Sequence, residues 1–186
     1  MGTWVEGDDA DEIARLLGVE PATAQRCDLG TAMHHHEPYA FTEIVWIGTH
    51  APDWTHVTSI SGPPLRTTSL AADGRRLFQV VWDAARDGVH DLSYCDGERM
   101  GRLSPLSIAE VPAGSVFDGH THGLVASRPG TIDMFSSRPT RPTGSLRLWM
   151  ENWLCLVGRI TGQFIDRDWL AETRTLYHVP LGVRRE

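Results

Sequence analysis

The dipeptide Asp96-Gly97 stands between two runs of strand-forming residues, 89–95 and 98–103, and it restricts the fold more than any other feature of the chain. Asp-Gly favours the two-residue turn whose twist matches that of paired strands, so the two runs are expected to close into a hairpin. The same alternation of β-branched and aromatic residues between turn signals recurs at 41–49, 54–61 and 76–83. Thr3–Val5 and Thr175–Val179 suit shorter strands. Connections this short join antiparallel neighbours.

Helical signals lie at both ends. Asp8 or Asp9 is placed to cap a helix whose first turn holds Asp11 and Glu12 and whose apolar face is Ile13, Leu16 and Leu17, with Gly18 as its left-handed stop. Pro21 and Asp28 start further turns, so helices are expected over much of 9–35. A short helix or turn is expected over 65–73. Near the C-terminus, Leu146, Trp149, Trp153, Leu156, Val157 and Ile160 recur at three and four residues behind Ser145 as cap, and Gly162 closes that helix. Asp166 or Asp168 opens one more. The pattern predicts one α+β domain over 1–186, with an antiparallel sheet of about 5–7 strands packed against N-terminal helices and a C-terminal amphipathic helix. Its 186 residues, 41% apolar and 22% charged, suit one globular core.

Between 104 and 144 the pattern fails, interrupted by Pro105, Pro112, Pro129, Pro139 and Pro142 and by Gly114, Gly119, Gly123, Gly130 and Gly144. Short strands at 123–126 and 131–135 are expected within it. Irregular stretches longer than about 15 residues in a compact domain tend to carry function, so this segment is expected to cover a pocket.

The net charge of −7 is unevenly spread. Residues 1–45 hold nine acids against Arg15 and Arg26, and the remainder holds fifteen acids and fifteen arginines. Phosphate recognition needs a basic patch, and no basic run exists, so neither nucleic acid nor an anionic membrane surface is an expected partner. An acidic face suits a basic protein, although acids also flank helix N-termini for local reasons. No apolar run approaches the length of a membrane span, and no basic-then-apolar leader opens the chain. A cytoplasmic protein with Cys27, Cys95 and Cys155 reduced is expected.

Several blocks resemble a known family. "TWVEGDDADEIARLLGV", "VWIG…DWT", "LAADGRRLFQVVWD", "LSYCDGERMGRLSPL" and "LVGRITGQFIDRDWL" are similar to the actinobacterial domain-of-unknown-function family DUF6461. The resemblance spans 3–103 and 145–172 and implies a cytoplasmic α+β domain. It brings no catalytic residue.

Nine histidines are the richest source of candidate chemistry. In Met33-His34-His35-His36-Glu37, His34, His36 and Glu37 are candidate ligands for Zn or Fe; the alternative is a polar helix end facing the helix dipole. In Asp118-Gly119-His120-Thr121-His122-Gly123, an extended backbone puts His120 and His122 on one face, as a ligand pair or as catalytic groups with Asp118 beside them. Pro112-Ala113-Gly114 followed by His-x-His resembles the first half of the cupin metal motif, without the glutamate or the second-half histidine that complete it. In "THAPDWTH", Asp53 is placed to orient His50 or His56 and to raise the imidazole pKa, with Trp54 lining the same binding region. No nucleophile elbow, phosphate loop or dinucleotide fingerprint occurs.

Two functions follow from these features. The favoured one is a non-catalytic binding protein that presents an acidic N-terminal face to a basic protein partner, in an immunity-like or regulatory role. The alternative is a small His-dependent enzyme, metal-assisted or not, acting on a specialised metabolite under the 104–144 segment. A small molecule or a second copy of the chain completes the expected partners.

Overall fold

The computed structural model describes residues 1–37, 42–62, 65, 68–83, 88–89, 91–97, 99–104, 108, 111, 114–124 and 143–180, with side chains of 82–83, 88–89 and 143–148 outside that set. The expected strand at 131–135 and half of that at 123–126 lie outside it too.

The fold is α+β. In chain order its elements are β1 (Gly2–Glu6), α1 (Ala10–Leu17), β2 (Gln25–Cys27), α2 (Leu29–Met33), β3 (Glu43–Ala51), β4 (Trp54–Ser61), β5 (Leu77–Val80), β6 (Trp82–Asp83), β7 (Gly88–Val89), β8 (Leu92–Asp96), β9 (Arg99–Leu103), α3 (Thr143–Thr161), α4 (Arg167–Ala171) and β10 (Arg174–Val179). Eight strands form one antiparallel sheet in the order β2-β10-β3-β4-β1-β5-β8-β9, and β6 pairs with β7 as a separate ribbon. The expected hairpin forms one residue out of the expected register: Asp96 pairs with Arg99 as the last residue of β8, so the turn follows Asp96 and starts at Gly97, which has φ +65°.

Three further features depart from the sequence pattern. The sheet exceeds the expected strand number because Gln25–Cys27 pairs with β10, inside a region expected to be largely helical. The run 76–83 divides at Val81 into β5 and β6. Helix α3 begins at Thr143, so Ser145 lies within it and is not its cap. The turn expected over 65–73 is present among the described residues as turns at 68–71 and a 3₁₀ turn at Ala72–Gly74. Asp9 and Asp166 cap α1 and α4 through their side chains, and Gly18 ends α1 at φ +69°.

Each sheet face has its own cover. Val5, Val45, Ile47, Val57, Leu77, Cys95 and Tyr177 share one face and pack against Ile13 and Ala14 of α1 and against Leu65 and Leu70. The opposite face carries Trp4, Phe78, Val80, Leu92 and Leu103 beneath Trp153, Leu156 and Val157 of α3, with Ile108 and Phe117 filling the same core. Beside it, Trp46, Ile44 and Leu176 meet Ala32 of α2 and Trp169 of α4. Ile108 and Phe117, two described residues of the 104–144 segment, are 0% and 2% exposed and belong to this core. A cleft of ≈ 380 Å³ lies on the α1 face, between Leu77, Gln79, Ser93, Cys95, Met100 and Arg102. No helix of the described residues is long and apolar enough to cross a membrane.

Candidate functional site

The strand register builds a continuous row across the helix-covered face. Trp4 lies opposite His56 on one side and Phe78 on the other; Phe78 lies opposite Tyr94, and His56 opposite Gly48. Arg174 precedes Thr175, the partner of Ile47, and so comes beside Gly48. Glycine is required there: a Cβ on Gly48 would stand 2.5 Å from Cγ of Arg174. The arginine stem fills the space that a side chain would take.

His50 reaches this row through a β-bulge. Thr49 pairs with Thr55 and Ala51 with Trp54, leaving His50 as the extra residue of β3. A bulge re-aims the side chains around it. His50 and Ala51 consequently both pack toward the helix-covered face: Ala51 joins the Trp4 core, and the His50 ring stands 6.2 Å from Trp4, 6.1 Å from His56 and 6.0 Å from Trp169.

The bonds of His50 fix its tautomer. The Trp169 indole N–H donates to His50 Nδ1 at 2.9 Å. An indole nitrogen only donates, so Nδ1 carries no proton and Nε2 does. Nε2–H then donates to the Gln163 carbonyl at 3.0 Å, with Thr161 Oγ1 at 3.1 Å. A second proton on His50 would oppose the indole N–H directly. Burial, with the charge of Arg174 adding to it, lowers the His50 pKa to about 4. Burial, Arg174 and His50 also push His56 well below the ordinary imidazole value. This reverses the expectation that Asp53 raises an imidazole here: Asp53 sits exposed in the β3–β4 turn at φ +65°, with its backbone carbonyl accepting from Gly7 N–H, while both rings are buried on the sheet face. Trp54, expected to line a binding region, is 4% exposed and packs on Phe78 and under the Arg76 guanidinium.

Arg174 completes the cluster. Its side chain is 2% exposed, with Cζ 4.0 Å from the Trp169 ring and 4.9 Å from that of Trp46. Desolvated cation–π contacts of this kind contribute about 2 kcal/mol each. Its Nη2 donates to Glu172 at 2.9 Å, whereas Nε and Nη1, like the Trp4 indole nitrogen, are buried without a hydrogen-bond partner among the described residues. A buried donor left so costs about 1–3 kcal/mol. Sequence reading missed Trp4, Trp169 and Arg174 as partners of the histidines; only the register and the bulge bring them together.

The other candidates lie elsewhere. His34 is the exposed C-cap of α2; His36 Nδ1 meets the Ile60 carbonyl at 2.7 Å, and the Glu37 backbone N–H donates to Ser61 Oγ. The 114–124 stretch is a run of tight turns and not an extended strand, with Gly119 and Gly123 at positive φ. There Asp118 accepts from Gly114 N–H, and Arg159 of α3 donates to the carbonyls of both His120 and His122 at 2.7 Å. Among the described residues no group of three His, Cys, Asp or Glu side chains is placed to hold a metal ion.

The acidic excess takes its shape at one end of the sheet. The C-terminus of β1, the β3–β4 turn, the start of β5 and the β8–β9 turn all fall there. They bring together Glu6, Asp8, Asp9, Asp11, Glu12, Asp53, Asp73 and Asp96 with only Arg75, Arg76 and Arg99 among the described residues. Arg76 is held by Glu6 at 2.6 Å through a fork that keeps the Glu6 carboxyl below its usual range, and Arg75 by Glu12 at 2.6 Å. Asp8, Asp11, Asp53 and Asp73 are exposed and have no ion-pair partner among the described residues. The chain matches no family model, no curated protein and no solved structure.

Proposed function

We propose that the chain is a binding protein that docks a basic protein partner on the acidic end of its sheet. The supporting observation is the convergence of carboxylates from four separate stretches of sequence, 6–12, 53, 73 and 96, while Arg75 and Arg76 are neutralised internally. Asp53 and Asp73 present their side chains from turns held at φ +65° and +61°. A fixed, uncompensated field of this kind steers a cationic partner and discriminates against acidic ones.

The histidines favour binding over turnover. His50 and His56 are buried and held neutral, and each has a packing role. An acid–base catalyst instead works best with a pKa near the operating pH and within reach of a substrate.

The test compares the native chain with Asp8→Asn/Asp53→Asn/Asp73→Asn as bait in extracts of its source organism. The expected result is one basic protein retained at low salt by the native chain, released at high salt and not retained by the triple variant. Equal retention by both baits, or retention of nothing, overturns the proposal.

A further inference from the structure

The cleft on the α1 face is built by two cross-strand rows of β5, β8 and β9. The register sets Leu77 opposite Cys95 and Cys95 opposite Met100; two residues along, Gln79 lies opposite Ser93 and Ser93 opposite Arg102. Alternate residues of a strand share a face, and all six line the same space of ≈ 380 Å³. Leu77, Gln79 and Cys95 are buried and make its floor, whereas Met100 and Arg102 stand exposed on β9. Gln79 Nε2 donates to Thr3 Oγ1 at 3.3 Å, which fixes the amide in that floor. One row is therefore apolar and the other polar. Neighbouring strands lie about 4.8 Å apart and alternate residues of a strand about 7 Å apart, so the six positions span roughly 10 by 7 Å. Arg102 is the one charged side chain of the lining, and it has no ion-pair partner among the described residues.

We propose that this cleft binds a small organic acid, a carboxylate carried on an apolar body the size of one ring. The body lies on Leu77, Cys95 and Met100, whose thioether adapts to the shape of its guest. The carboxylate meets the Arg102 guanidinium, which matches it as a planar two-pronged donor, with the Ser93 hydroxyl beside it as a further donor. The volume is that of a small-molecule site, and its few polar groups lie together along one side, as such sites require. Arg102 repels a cationic guest, and the span of the two rows excludes a long one. The charge of the cleft is opposite to that of the acidic end of the sheet, so the two surfaces take different guests and neither proposal rests on the other.

The experiment titrates the full labelled chain with sodium benzoate, benzamide and sodium acetate at ionic strength held constant with sodium chloride. Benzamide keeps the ring without the charge, and acetate keeps the charge without the ring. The readout is the backbone amide signals of Ser93 and Arg102 and the methyl signal of Met100. The expected result is a saturable shift of all three with benzoate, with benzamide and acetate each weaker by about tenfold or more. Arg102→Gln changes an exposed position and is expected to weaken benzoate about tenfold while leaving benzamide unchanged. Met100→Ala is expected to weaken benzoate and benzamide alike, severalfold. No saturable shift with benzoate, an equal response to acetate, or unchanged benzoate affinity in Arg102→Gln overturns the proposal.

Discussion

Replacing His50 with Gln tests whether the bulged histidine is a neutral core residue. The folded His50 has a pKa of about 4 against 6.5 for an unperturbed imidazole. Between those values the unfolded chain binds a proton that the folded chain does not, so stability falls as the pH drops through this window and is unaffected above it. At about 1.4 kcal/mol per pKa unit, the whole window is worth about 3 kcal/mol, and going from pH 7 to pH 5 costs about 2 kcal/mol. His56 shifts the same way and adds to the loss. In His50→Gln, the amide oxygen can accept from Trp169 and the amide N–H can donate to the Gln163 carbonyl, so the packing survives without the titration. Urea unfolding followed by tryptophan fluorescence at pH 5, 6 and 7 measures the difference. The variant is expected to lose about 2 kcal/mol less than the native chain between pH 7 and pH 5. Parallel stability–pH curves for the two proteins would refute the neutral-tautomer argument.

Glu43 is predicted to act in the opposite sense. Burial raises its pKa from 4.5 to about 7, so the folded state holds a proton across that window and stability falls as the pH rises through it. Glu43→Gln should therefore gain about 1–3 kcal/mol on the native chain between pH 5 and pH 8, as measured by urea unfolding, the lower figure reflecting solvent screening at a half-buried site. Gly48→Ala places a methyl 2.5 Å from Cγ and 2.6 Å from Cδ of Arg174, and overpacking of this kind costs about 1–3 kcal/mol. Thermal and urea unfolding check it, and an unchanged midpoint would mean that Arg174 has room to move.

The sheet was readable in the sequence where local chemistry decides. The turn at Gly97 after Asp96, the alternation in 54–61 and the Asp9 and Asp166 caps act within a few residues. Gln25–Cys27 was not readable as a strand, because three residues, two of them exposed, show no periodicity; its pairing comes from β10, far along the chain. The surroundings of His50 were hidden for the same reason. Its bulge is a property of the β3–β4 register, and Trp169 and Arg174 reach it across more than a hundred residues of sequence. The His120 and His122 pairing on one face rested on an extended backbone that the turns at Gly119 and Gly123 replace. The acidic excess of residues 1–45 was plain from composition, but only the topology shows that Asp53, Asp73 and Asp96 join Asp8, Asp9 and Asp11 while Arg75 and Arg76 are held by Glu12 and Glu6.

The most direct measurement of the binding claim is a residue-by-residue map of where a cationic chain touches the protein. An arginine- and lysine-rich peptide titrated into the labelled protein at low salt should shift the backbone amide signals of Asp8, Asp53, Asp73 and Gly97 together, and the shifts should vanish at high salt. Shifts centred instead on His120 and His122 or on the β9 edge, or shifts at the acidic end that persist at high salt, would contradict the account.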